Sequence, residues 1–240
     1  MKKHQKYLSA SLIALAALLS VPIQGAWAAT APALGTASGF SVLGGSAITC
    51  TASSVTGDVG ISPGSAFTNT GCTISGATPP ATNTAAVQAH ADFLSAYATL
   101  QSESCTQTLS GTLADQNVAP GVYCVDAVAK TGTLTLKGPS DGVWVFLVNG
   151  ALTGTNFSVV MAGGGQPSNV FWAPSVAATM TTSAFQGNIL AGDAVGGSIT
   201  FTGGSLAGQA LANVAVTMTG TSVTGSQVYN PDYSLNPFGM

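Results

Sequence analysis

The sequence predicts a mainly β protein, a β-helix with one α-helix packed along its side. Three observations carry this. Residues 169–225 repeat with a period of about 20 residues. Their strand-like pieces alternate apolar and hydroxyl residues. A single segment, about residues 82–104, has helical spacing instead.

The chain opens MKKHQKYLSASLIALAALLSVPIQGAWAAT. Lys2, Lys3 and Lys6 precede a short apolar run, and Ala26-Trp27-Ala28 offers a small-x-small cleavage site. Residues 1–28 therefore read as a secretory signal peptide cut near Ala28. The competing reading is a membrane anchor, but the run is short for a span and no second one follows. A secreted, extracellular or periplasmic, protein is expected. One domain is expected over residues 29–228, with an irregular tail at 229–240 whose apolar residues would cover the last coil.

The stretch 34–76 contains GFSVLGGSAIT, SVTGDVGISPGS and GCTISG. These are strand-like and are expected to form first coils or a cap, since an open terminal coil exposes unpaired edges. The helix follows Pro79-Pro80, with Thr82 or Thr84 as its cap. Its apolar stripe is read as Val87, Ala91, Leu94, Ala98 and Gln101, flanked by Phe93, Tyr97 and Leu100. A helix with one apolar stripe must lie on something, and one side of the β-helix is the natural partner. TGTLTLKG, GVWVFLVNG and GALTGTNFSVVM fit further coils. GGGQPS (163–168) reads as a turn between coils; no Lys-Ser/Thr follows to make it a phosphate loop. In the repeat proper, GNILA from Gly187 matches GQALA from Gly208. Each unit holds three short pieces separated by Gly, Ser or Asn corners, which is one β-helix coil.

Charge is scarce. Without residues 1–28 the chain keeps Lys130 and Lys137 against eight acids, a net charge of −6, and it has no arginine. No basic patch exists to neutralise phosphates, so neither nucleic acid nor an anionic membrane is an expected partner. With 46% hydrophobic residues the chain folds rather than remaining disordered. Its surface is then built of Thr, Ser, Asn, Gly and Ala. Cys50, Cys72, Cys105 and Cys124 suggest two disulfides in an exported protein. Three connectivities are possible; Cys50–Cys72 and Cys105–Cys124 are favoured because local pairs clip short loops. Zinc is the alternative, but there is no C-x2-C unit and residues 29–240 hold one histidine, His90. No metal or cofactor is expected.

Threonines flank the inward apolar residue of several strands. Thr133 and Thr135 flank Leu134, Thr179 and Thr181 flank Met180, Thr200 and Thr202 flank Phe201, and Thr217 and Thr219 flank Met218. Thr153 and Thr155 in LTGT lie nearby. Stacked in register, these make two columns on one flat face. Coils sit about 4.8 Å apart, and residues i and i+2 about 6.7 Å apart. Thr is stiff at χ1, so such a grid is pre-ordered. A planar repeating lattice suits a partner that is itself periodic, and in water that partner is ice. Thr also favours strands for packing reasons alone.

The segments LGTASGFSVLGGSAIT, VTGDVGISPGSA, APGVYCV, TGTLTLKG, VWVFLVNGALTGT, NVFWAPSVAATM, FQGNILA and LAGQALANVAVTM, in this order over nearly all of 34–225, resemble the microbial ice-binding (antifreeze) proteins. The resemblance implies a right-handed, discontinuous β-helix of triangular section with one long helix alongside. It implies adsorption to ice through a flat β-face, arrest of growth and inhibition of recrystallisation. A monomer is expected. Family corners read T-A/G-x-T/N; the nearest matches are TGGS (202–205) and TGTS (219–222), which adds Ser205 and Ser222 to the candidate ice-binding residues.

Two other functions are conceivable for an exported β-helix. A polysaccharide lyase or hydrolase needs clustered carboxylates. Here Asp58, Asp115 and Asp141 read as turn residues, His90 as structural, and no Ser-His-Asp set suggests itself. An enzyme is not expected. A structural or adhesive extracellular solenoid without ice activity is the alternative. Phe171, Trp144 and Trp172 read as packing residues rather than a sugar platform.

Overall fold

The computed structural model describes residues 29–80 and 82–225. The signal peptide expected at 1–28 and the tail at 229–240 lie outside them.

The chain winds into eight stacked levels. Eight parallel strands form one wall, in the spatial order Asp58–Ile61, Phe40–Gly44, Ala210–Ala212, Asn188–Ala191, Val170–Pro174, Trp144–Val148, Gly121–Val125 and Gln107–Leu109. Thirteen further strands make a second parallel sheet. It is folded at a corner into two more walls, and the strand Leu152–Ala162 runs across that corner. The repeat seen in the sequence supplies three consecutive levels, and GGGQPS is the turn expected before them.

The corner has a local cause. In each of the upper six levels it turns at a residue of positive φ: Gly71 (74°), Ala52 (46°), Gly220 (62°), Gly203 (68°), Thr182 (46°) and Asn156 (48°). Glycine takes this left-handed conformation readily, and three of the six corners are glycine.

The order of levels is not the order of the sequence. Phe40–Gly44 lies between Ala210–Ala212 and Asp58–Ile61. The last coil is therefore covered by the N-terminal coils. The core of that coil is closed by Val42, Ile48 and Val55.

The helix, Asn83–Gln101, returns the chain from the top level to the bottom one. Its 19 residues span roughly 28 Å, and eight levels span roughly 33 Å, so the lengths match. It lies on the eight-stranded wall, whose inner strands are thereby buried on both faces. Trp144, Phe146, Trp172 and Ile189 point into the solenoid, while Leu43, Val145, Phe171, Leu190 and Leu211 point toward the helix. The buried stripe is Ala86, Ala89, Phe93, Ala96 and Leu100. This corrects the expected stripe: Val87 is 62% exposed. Alanines allow a close approach, as where Phe40 and Ala86 crowd Gly60. The expected cap also differs. Thr82 occupies the cap position, but its hydroxyl donates to the Val59 carbonyl and so ties the helix to the sheet.

Both expected disulfides are present, Cys50–Cys72 and Cys105–Cys124. Each joins a terminal level to its neighbour. Lys130 is fully buried; its stem enters the core, and its ammonium donates to Asp126 and to the Gly111 carbonyl. The buried aromatics Phe146 and Trp172 stack with centroids 3.9 Å apart, so the tryptophans are core residues.

Candidate ice-binding face

One wall carries an unbroken threonine grid. The registered pairs run Thr153, Thr179, Thr200, Thr217, Thr49, Thr68 in one column. The second column runs Thr155, Thr181, Thr202, Thr219, Thr51, Thr70. All twelve are at least partly exposed. Between them Met180, Phe201, Met218 and Cys50 point into the core, fixing each strand's phase. No Asp, Glu, Lys or Arg occurs in the strands Ala47–Thr51, Ala66–Thr70, Ala178–Thr181, Ile199–Thr202 and Ala215–Thr219. In the loop that leads into Ile199–Thr202, Asp193 accepts the N–H groups of Val195 and Gly196. These bonds hold its carboxyl below the usual range and tie its charge to its own loop.

Eight of the sequence-derived candidates fall on this face: Thr153, Thr155, Thr179, Thr181, Thr200, Thr202, Thr217 and Thr219. Thr133 and Thr135 do not. Thr133 pairs with Ser158 and Thr135 with Val160, beyond the corner on the third wall. T-x-T reports only which residues point outward, not which wall they stand on. The left-handed residue decides that: Gly132 precedes Thr133, whereas Asn156 and Thr182 follow Thr155 and Thr181. Ser205 and Ser222 also stand past the corner, in register with Ser54 and Ala184. The Ser54 hydroxyl donates to Ser222 at 3.1 Å. An open groove of about 440 Å³ runs along the upper corner between the two walls, lined by Ala52, Gly71, Gly220, Ser54, Thr73 and Ser222.

Four face residues were missed: Thr49, Thr51, Thr68 and Thr70. AITCT and AFTNT carry the same T-x-T signature followed directly by Ala52 or Gly71. Reading that stretch as possible capping structure hid them.

A family model described as Ice-binding-like matches residues 42–224. The chain belongs to the Ice-binding-like family. Among the relatives of this family member is the ice-binding protein of Flavobacterium frigoris (strain PS1). It is 34% identical over 118 residues, 48% of this chain and 42% of that protein. The ice-binding protein of Nostoc sp. (strain HG1) is 38% identical over 158 residues, 62% of this chain and 57% of that protein. The chain thus spans about half the length of these two relatives. Among solved structures, the ice-binding protein of the Antarctic ascomycete Antarctomyces psychrotrophicus superposes with a TM-score of 0.72 at 31% identity, over 81% of this chain and 98% of that one. An ice-binding protein from an Antarctic Flavobacteriaceae bacterium gives 0.71 at 32% identity, over 81% and 47%.

Among the described residues no three of His, Cys, Asp and Glu gather as a metal site. Asp58 accepts the Ala77 N–H, and Asp115 sits at a left-handed turn with φ 58°. Among the described residues no helix is long and apolar enough to cross a membrane.

His90 is half-buried at the helix–sheet seam, edge-on to Phe93 at 5.9 Å, with its Nε2 unpartnered. Burial holds its pKa below the ordinary 6.5, against a smaller opposing contribution from Asn213. A depressed pKa means that the unfolded chain takes up the proton first. Stability from His90 is thus present above 6.5 and lost as pH falls through the folded value. The melting temperature is therefore expected to fall as the pH is lowered from 7.5 to 5.5. In His90→Gln that part of the pH dependence should vanish; calorimetry across the range checks it.

Proposed function

We propose that this chain is an exported ice-binding protein that adsorbs to ice through the twelve-threonine face, arresting crystal growth and recrystallisation. The observation that carries the reading is the pair of six-threonine columns in unbroken register. Each threonine offers a methyl and a hydroxyl on a stiff χ1. Neighbours recur about every 4.8 Å across the strands and about every 6.7 Å along them. Ordered water is held around the methyls and anchored by the hydroxyls, and an ice front can take up that layer with little reorganisation. A charged side chain would impose its own hydration shell on the layer, and the face has none. Adsorbed molecules then pin the front, which must bulge between them, and curvature opposes further growth.

The relatives' names agree with this partner. Nucleic acid and anionic membranes fit poorly, since only two lysines remain beyond residue 28 and one of them is buried. The reading includes no catalytic step, metal or cofactor, and a monomer suffices for it. The N-terminal sequence supports export with cleavage near Ala28, and the two disulfides suit an oxidising compartment.

The deciding experiment is ice recrystallisation in frozen sucrose at micromolar protein, beside a heat-denatured control. Grain growth should halt with native protein only. If native protein neither shapes nor arrests crystals, a structural or adhesive solenoid replaces this reading.

A further inference from the structure

We propose that Asn156 is an acceptor for an N-linked glycan, and that a glycan there screens the lower end of the threonine face. Asn156-Phe157-Ser158 is an N-x-Ser/Thr sequon without proline, and no other asparagine in the chain begins one. The structure presents only the residue that matters. Phe157 is fully buried and Ser158 half-buried, while Asn156 is exposed at the left-handed corner with φ 48°. Its Oδ1 accepts the Thr182 hydroxyl at 2.6 Å, which fixes the amide. Nδ2, the atom that would carry the sugar, makes no hydrogen bond among the described residues.

The chemistry balances with a lipid-linked oligosaccharyl pyrophosphate as donor. Nδ2 attacks the anomeric carbon, and an N–C bond forms as the C–O bond to pyrophosphate breaks. The lipid pyrophosphate leaves, and Nδ2 gives up one proton. The inference rests on the export reading, because the donor and its transferase act on exported chains. Asn156 directly follows Thr155, which stands on the lowest level that carries both columns. A sugar chain rooted there rises beside Thr155 and one level below Thr181.

The test uses the full chain, secreted from a eukaryotic host, beside Ser158→Ala from the same host and both proteins from a bacterial periplasm. Ala184 occupies the matching place one level up, so alanine fits at 158. Peptide mapping by mass should find hexose-bearing peptide at Asn156 in the eukaryotic wild type and none in Ser158→Ala. The glycosylated protein should need severalfold more material to halt recrystallisation than Ser158→Ala, with the two periplasmic proteins equal. An unmodified Asn156 in the secreted wild type overturns the acceptor assignment. Full glycan occupancy with undiminished activity overturns the screening. If no preparation acts on ice, the ice reading fails and the screening with it, while the mass map still decides the acceptor.

Discussion

Thr200→Tyr and Thr219→Tyr, each made alone, should abolish most ice-growth arrest and leave the fold intact. Both hydroxyls point out of the wall, Thr200 in the first column and Thr219 in the second. Surface changes of this kind cost about 0.5 kcal/mol or less in stability. The phenol ring stands above the plane and holds an ice front off the neighbouring threonines. A rigid array makes contact everywhere at once or not at all, so one obstacle weakens many contacts together. The concentration needed to stop recrystallisation should rise about tenfold or more, the equivalent of at least 1.4 kcal/mol. Val87→Tyr, on the outer side of the helix, is the control and should act as wild type. Circular dichroism melts establish that all three fold. Folded face variants that arrest ice as well as wild type would move the site to the third wall, where Thr133, Thr135, Ser205 and Ser222 stand.

Removing the disulfides should act at the two ends of the stack. Cys50–Cys72 closes a sequence separation of 22 and ties the top level to the one below it. Cys105–Cys124 closes one of 19 and ties the bottom level to the one above it. Inner levels have neighbours on both sides; terminal levels have one and would fray first. Loops of this size contribute about 3 kcal/mol each by chain entropy. Replacing either pair by serine should lower the melting temperature by about 6–12 °C. Hydrogen exchange should speed at 66–74 in the first variant and at 107–118 in the second, with 170–207 unchanged. Uniform loss of protection along the solenoid would sink the idea of end-pinning.

The sequence made the solenoid legible where its repeats are adjacent. Residues 170–224 stack as their internal likeness demands, and the paired cysteines were readable because each pair is local. Three things were not legible, each for a physical reason. The helix stripe lies one to two residues before the expected one, since Val87 is more hydrophobic than Ala86 yet too large for close packing on the sheet. Thr133 and Thr135 share the outward phase of the columns, and only the place of Gly132 shows that the corner has already been turned. Thr49, Thr51, Thr68 and Thr70 belong to the grid through pairing with the far end of the chain, which local periodicity cannot report.

That pairing also bears on how the molecule is made. Of the described coils, the one made first, 40–56, docks on the one made last, 210–224, and 58–74 stacks on its other side. Ser54 and Ser222, in contact in the folded protein, are 168 residues apart in the chain. Levels from 107 to 224 can zip upward one on another as the chain emerges. The leading pair of coils must wait with an unpaired edge until the final strands arrive. Contacts of such long range form slowly, because a large loop must close before they reward it. A chain cut short before residue 210 therefore loses more than its last coil. Its threonine grid divides into two pieces that share no strand pairing, and four of the twelve threonines, on the leading coils, are separated from the rest.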